Sequence, residues 1–363
     1  PERWEVLKYT EDGVRRMAAL VVKLALGRVP PGVVRGHSVG EIIATQKPNG
    51  GIRPLVLSSV LRRMGLAAVA KTIRLQASLA AGKHQLGIGT PDGCAKAFHA
   101  LTSLARMRPG KVVMALDVKA AHQSLDRGFM RAEVRSRCPH MSRPLDVWYP
   151  PDEPTKHWWR TGTGEVIEIE AERGVDQGCP LARLAFGVST AGIAAEAVRD
   201  IERADPEGSL FQYADDTQAH TEPSNLTTSY RAIEARWRTA GLELNASKTK
   251  VWTPNSDTPL PPEWEPYRTS SLRCLGADLM DDNISWTAPE HGGQGGELAA
   301  SAGKISEFAD NLRELRGAGL SIQLAQSLLR YAAVGGPQHV LMCKPATRSE
   351  EHTSELQSRQ YLV

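Results

Sequence analysis

Two acidic segments about a hundred residues apart constrain this chain most. In the first, the apolar run Val112-Val113-Met114-Ala115-Leu116 ends in Asp117. The second is Phe211-Gln212-Tyr213-Ala214-Asp215-Asp216-Thr217. An uninterrupted apolar run of this length predicts a strand buried on both faces, with Asp117 where the sheet meets solvent. Tyr213 to Asp216 reads as a tight turn between two short strands, because Asp tolerates turn geometry and both flanks carry β-formers. Adjacent carboxylates repel, and a divalent cation relieves that repulsion. Hard oxygen ligands suit Mg²⁺, which keeps several waters and takes further ligands from phosphates. Against this stands the plain reading of an Asp-Asp pair as a solvated surface turn, so the surrounding segments have to decide.

The remaining sequence bounds the answer. At 363 residues the chain has room for two domains or one elaborate one, and its 41% hydrophobic and 23% charged content is that of a globular protein. A net charge of +3 does not by itself announce a nucleic-acid binder. Local clusters at Arg15-Arg16, at Arg62-Arg63 with Lys71 and Arg74, and at Arg131, Arg135 and Arg137 read either as stripes for a phosphate backbone or as solvated helix faces. Cys94, Cys138, Cys179, Cys274 and Cys343 lie far apart, which indicates neither a zinc site nor a disulfide framework and fits a reducing compartment. The longest apolar stretch, Met17 to Leu26, is interrupted by Lys23 and is too short to span a bilayer. The expectation is an intracellular protein, in nucleus or cytoplasm, neither secreted nor membrane-bound. The first residue is Pro1, so a fragment is expected, and the segment from Arg348 onward resembles a translated sequencing adapter, expected to be non-native.

Periodicity predicts helices over 11–27, 59–80, 92–106, 126–137, 180–201 and 224–240, and two more within 297–333. Strand patterns fall at 41–46, 52–57, 164–171 and 271–277, with a loop and strand over 241–252. The first two are joined by Lys47-Pro48-Asn49-Gly50-Gly51, which is hairpin-turn chemistry. Residues 144–160 read as a Pro- and Trp-rich connection whose Trp148, Trp158 and Trp159 serve either as core anchors or as base-stacking platforms. Strands interleaved with helices around a small sheet suggest a β-α-β-β-α-β unit.

Taken in order from about residue 40 to residue 280, these segments resemble the reverse transcriptases, most nearly those of non-LTR retrotransposons. The carriers are the basic hairpin, Asp117-Val118-Lys119-Ala120-Ala121-His122, Arg173-Gly174-Val175-Asp176-Gln177-Gly178-Cys179-Pro180-Leu181-Ala182, Tyr213-Ala214-Asp215-Asp216, Gly241 to Lys248, and Leu275-Gly276. Gln85-Leu86-Gly87-Ile88-Gly89 with Gly93 also looks like a glycine-bearing segment of the family.

The resemblance implies an α+β right-hand polymerase fold with fingers, a ferredoxin-like palm and a partial helical thumb. N-terminal helices and fingers would occupy residues 1–110, the palm with fingers insertions 111–280, the partial thumb 281–347 and the non-native tail 348–363. It implies an RNA-directed DNA polymerase, a nucleotidyltransferase that extends a primer 3′-hydroxyl with dNTPs by two-metal phosphoryl transfer. Asp117, Asp215, Asp216 and Lys248 would be catalytic. Asp117, Asp215, Asp216 and the carbonyl of Val118 would hold two Mg²⁺ ions, with Mn²⁺ as a substitute. Lys47, Arg53, His122, Gln177 and Gly178 would bind substrate, and the partners would be an RNA template, a DNA primer and dNTPs.

Two positions depart from the family pattern. His122 stands where the family usually has Phe or Tyr against the ribose 2′-hydroxyl, and Ala182 stands where Ser is common. An intron-encoded or domesticated reverse transcriptase, or a catalytically decayed nucleic-acid-binding scaffold, remain the alternatives.

Overall fold

The computed structural model describes residues 10–46, 50–150, 153–275, 277–279, 306–315 and 317. In chain order the helices are α1 (Glu11–Ala25), α2 (Pro31–Ser38), α3 (Val60–Thr72), α4 (Arg74–Ala81), α5 (Gly93–Met107), α6 (Ala121–Ser124), α7 (Arg127–Arg137), α8 (Ser142–Trp148), α9 (Ala182–Ala204) and α10 (Leu226–Thr239). The strands are β1 (Gly40–Gln46), β2 (Ile52–Ser58), β3 (Val112–Leu116), β4 (Thr155–Arg160), β5 (Val166–Ala171), β6 (Ser209–Tyr213), β7 (Asp216–Thr221), β8 (Lys250–Trp252), β9 (Arg268–Thr269), β10 (Leu272–Cys274) and β11 (Ala277–Leu279). The chain divides into two compact units, one of residues 1–93 and 114–249, the other of residues 94–113 and 250–363.

The first unit carries two sheets. In one, the strands run in the order β2-β1-β4-β5; β1 pairs antiparallel with β2 and parallel with β4, and β4 pairs antiparallel with β5. In the other, β6, β7 and β3 lie side by side in that order, with β6 and β7 forming the antiparallel hairpin of the acidic turn. Val112, Val113, Met114 and Leu116 are buried, as a strand covered on both faces requires. Of the 23 residues of α9, 14 are buried. Its Ala-rich sequence lets neighbours approach closely, and a Cβ on Gly187 would collide with the side chain of Ile88. Helix starts follow local chemistry: the side chains of Thr10, Ser59 and Asp126 accept from the N–H groups of Gly13, Arg62 and Phe129.

In the second unit α5 buries Phe98, Leu101 and Ala105, β8 pairs in parallel with β9, and β10 and β11 form an antiparallel hairpin. Residues 306–315 are helical.

Several expectations need correction. The span 59–80 is two helices, because the chain turns at Ile73, which closes α3 and opens α4. Residues 144–160 are not a connection; they hold the end of α8 and all of β4. Pairing on both sides makes β4 a strand, a non-local effect that Pro- and Trp-rich composition conceals. The Trp cluster also dissolves: Trp148 is fully buried and donates from its indole N–H to the carbonyl of Ala25 at 3.0 Å, whereas Trp158 and Trp159 are partly exposed on opposite faces of β4.

The basic stripes are largely internal pairs. Arg131 and Arg135 both meet Asp146, Arg137 meets Glu133, Arg15 and Arg16 meet Glu11 and Asp12, and Arg62 is fully buried. Cys94, Cys138, Cys179 and Cys274 are free thiols. Among the described residues no helix is long and apolar enough to cross a membrane. Lys47, Gly276, Cys343, most of 297–333 and the tail from Arg348 lie outside the described residues.

Candidate active site

Asp117 follows the last residue of β3. Its Oδ2 accepts from Lys248 Nζ at 3.1 Å and from Asn245 Nδ2 at 3.3 Å. The same loop grips the backbone: Asn245 N–H donates to the Asp117 carbonyl at 2.8 Å, Lys119 N–H donates to the Glu243 carbonyl at 2.9 Å, and Val118 forms a bridge with Leu244. Lys248, placed by the short helical turn Ala246–Lys248, therefore arrives at the first acid rather than standing apart from it. Val118 is buried at 6% exposure.

Asp215 and Asp216 sit at the tip of the β6–β7 hairpin, where Tyr213 pairs with Asp216 across Ala214 and Asp215. Ala214 is left-handed, at φ 56°, a conformation that costs an L-residue about 1–2 kcal/mol. The clamp that holds it is Gln85. This buried side chain accepts from the Ala214 N–H at 2.8 Å and donates to the Ala214 carbonyl at 3.0 Å. Backbone bonds brace the clamp, from Leu86 N–H to the Gln212 carbonyl and from Gln212 N–H to the His84 carbonyl. Gly87 lies so close to the turn that a Cβ there would strike the Ala214 nitrogen. The glycine-bearing segment, whose role the sequence left open, thus buttresses the acidic turn. Gln85 went unassigned because a lone Gln carries no periodicity; only its two-residue spacing from Gly87 was visible.

The three acids share one electrostatic site. The carboxyl of Asp216 is pushed up to about 6, first by desolvation and then by the charges of Asp215 and Asp117. Because Asp216 is exposed by surface area, the repulsion from its two neighbours is the firmer part of that shift. Among the described residues, no group of three or more His, Cys, Asp and Glu side chains is gathered tightly enough to hold a metal by itself. The expected cage is therefore open, and Lys248 and Asn245 occupy one oxygen of Asp117. Mutually repelling carboxylates with all-oxygen donors still suit a hard divalent cation, since Mg²⁺ is held by one or two carboxylates together with substrate phosphates.

His122, on α6, enters the same site. Its ring lies edge-on to Phe186 with centroids 5.0 Å apart. Burial and the nearby Arg183 hold its pKa below the usual histidine value, and Asp215 opposes them. Its Nδ1 is buried without a hydrogen-bond partner among the described residues. The loop carrying Gln177 reaches it as well, through Val175 N–H to the His122 carbonyl at 2.8 Å. Gly174 and Gly178 have φ of 65° and 115°. A Cβ on Gly174 would strike the backbone at His122 and Gln123, and one on Gly178 the Val56 carbonyl. Ala182 is buried at the start of α9. Arg53 is exposed on β2 opposite Thr45 and contacts none of the acids.

The family model for reverse transcriptase (RNA-dependent DNA polymerase) matches residues 45–279. The chain belongs to the reverse transcriptase family. The match begins in the basic hairpin and ends past Leu275. Solved telomerases share its fold. Apo telomerase from Candida tropicalis truncated from its C-terminal domain superposes with a TM-score of 0.50 at 13% identity, covering 69% of this chain and 55% of that one. Telomerase from Candida albicans in complex with a TWJ fragment of telomeric RNA gives 0.52 at 13% identity, covering 78% and 52%. The Candida tropicalis telomerase in complex with a TWJ fragment of telomeric RNA gives 0.52 at 10%, covering 89% and 55%. This reverse transcriptase chain thus spans about half the length of the telomerase chains it matches, and at such identities the likeness speaks for the right-hand polymerase fold alone. No curated protein matches it.

Proposed function

We propose that the chain is an RNA-directed DNA polymerase of retrotransposon origin that extends a primer 3′-hydroxyl with dNTPs. The supporting observation is the meeting of Asp117, Asp215 and Asp216 in one site, where desolvation first and the charges of Asp215 and Asp117 next raise the Asp216 carboxyl to about 6. Residues 1–110 would act as N-terminal helices and fingers, 111–280 as palm, and 281–347 as part of a thumb.

Asp117, Asp215, Asp216 and the Val118 carbonyl would hold two Mg²⁺ ions. Bound there, the ions would activate the primer hydroxyl and neutralise charge on the transferring phosphoryl group. The chain's own residues do the rest. The strand end at Asp117 and the Gln85-clamped turn fix the acids in advance, so little reorganisation accompanies reaction. Lys248 offsets the negative charge of Asp117 and would meet a departing pyrophosphate. Gln177 and Gly178 would present the edge of the nucleotide site, with Arg53 and Lys47 as phosphate-gripping cations. His122 forms the floor beneath the sugar.

The test is primer extension by the intact chain on an RNA template. Incorporation is expected with Mg²⁺, loss of it on chelation, and recovery on adding Mg²⁺ back. Incorporation that persists in excess chelator would remove the metal assignment, and none under any condition would leave a nucleic-acid-binding scaffold.

His122 carries its own prediction. A neutral imidazole is smaller than a phenyl ring, leaving room beside a ribose 2′-hydroxyl. His122→Phe is expected to raise the preference for dNTP over NTP by about tenfold, the order worth ~1–3 kcal/mol for filling a pocket by a few atoms. Single-nucleotide incorporation kinetics with each substrate would show it, and equal ribonucleotide use by both proteins would discard the sugar-floor role.

A further inference from the structure

We propose that Asp176 is a positioning residue that locks the nucleotide-site loop Gly174–Gly178 to the four-stranded sheet and to α3. The functional part of this inference rests on the polymerase reading above; the structural part does not. Asp176 is only 6% exposed, and both its oxygens are engaged. Its Oδ2 accepts from Arg62 Nη2 at 3.1 Å, its Oδ1 lies 3.0 Å from His157 Nε2 on β4, and its N–H donates to Tyr149 Oη at 3.3 Å. Burial alone would raise its carboxyl pKa, but His157 and Arg62 together hold it below the usual carboxylate range.

Arg62 is fully buried. Its guanidinium lies 4.8 Å from the ring centre of Trp148 and 5.5 Å from that of Tyr149, and it donates to the carbonyl of Ser38 at 3.0 Å. Such an ion pair contributes little net stability compared with apolar residues of the same size, because desolvation cancels most of the attraction. What it supplies is direction: a residue whose carboxylate lies against an arginine and a histidine while its N–H meets a tyrosine hydroxyl has one position.

That position is transmitted along the loop within two residues. On one side, Gln177 follows Asp176, and its carbonyl accepts from Val56 N–H on β2 at 2.8 Å. On the other, Val175 N–H donates to the His122 carbonyl, and the Gly174 carbonyl accepts from Arg127 Nε at 3.0 Å. The loop is not wedged in place by packing alone. A cavity of about 570 Å³ lies against it, lined by Ile42, Val56, His157, Trp159, Asp176 and Gln177 among others. Without the lock the loop has space to move into, and Gln177 and His122 would shift together.

The test replaces the charges with apolar residues of similar bulk in the intact chain, as Arg62→Met with Asp176→Leu. The double variant is expected to melt near the parent temperature, while KM for the incoming nucleotide rises about tenfold with kcat changed much less. Hydrogen exchange at the Val56 and Val175 amides is expected to quicken about tenfold. This second readout needs no activity, so it decides the locking role even if the parent fails to extend a primer, a failure that would count against the polymerase reading instead. Parental KM and parental amide protection in a folded double variant would overturn the proposal. Should the double variant not fold, His157→Phe keeps the ion pair but removes one of the lock's contacts. It is expected to raise KM and quicken exchange in the same direction, and parental values for both would overturn the proposal equally.

Discussion

Asp117→Asn is expected to lower the rate of nucleotide incorporation about a thousandfold while leaving the fold intact. The magnitude is that of removing one charged group aimed at developing charge in a preorganised site. The fold should survive because the Asp117 side chain is 39% exposed and its partner Lys248 47% exposed, and an exposed pair contributes about 0–1 kcal/mol. Asn also retains an oxygen able to accept from Asn245 Nδ2. What disappears is the negative charge that repels Asp216 and attracts a cation. Single-turnover incorporation at saturating Mg²⁺ and dNTP, run beside a thermal melt, would measure both quantities. Activity within about tenfold of the parent would show that the first acid is not part of the reacting centre.

The second large effect belongs to a residue with no charge. Gln85→Leu keeps the bulk of the side chain but deletes both hydrogen bonds to Ala214. An unpaired buried polar group costs about 1–3 kcal/mol, so losing partners for the N–H and the carbonyl should destabilise the protein by about 2–4 kcal/mol. The consequence for chemistry is larger than for stability. Ala214 is left-handed, and with nothing fixing its peptide the turn would relax and carry Asp215 away from Asp117. A displacement of about 1 Å suffices for a hundredfold loss of rate, which is the expected drop.

Ala214→Gly on top of Gln85→Leu should recover about 1 kcal/mol of stability, because glycine adopts positive φ without steric cost. It should not restore the rate, since a freer turn points Asp215 no better. Melting curves with a Mg²⁺ titration of activity would separate the two effects. A Gln85→Leu protein with the parent's half-saturating Mg²⁺ concentration would show that the amide does not aim the metal turn.

The three candidate acids were legible in the sequence because their signals are local. Five apolar residues closed by Asp117, and an Asp-Asp pair between β-formers, need no partner to be read, since burial and turn geometry are written in adjacent residues. The hairpin at 41–57, the long apolar helix α9 and the glycines of the loop before it were legible for the same reason. Local signals failed where a residue's state depends on something distant in the chain. Arg62 reads as one of two surface cations, yet it is sealed beside Asp176, 114 positions away. Residues 155–160 read as a Trp-rich connection, yet pairing with β1 and β5 makes them a strand.

From the sequence alone came which polar groups to look for: three carboxylates, a lysine and the histidine in place of a larger ring. Their order along the chain also pointed to a polymerase. Tertiary structure decided how those groups are aimed. Lys248 meets Asp117 across 131 positions, and Gln85 reaches Ala214 across 129. The physical reason is that a side chain's chemical type is fixed by its covalent structure, whereas its direction and its pKa are set by the partners and burial the fold brings to it, and distant partners leave no mark on neighbouring residues.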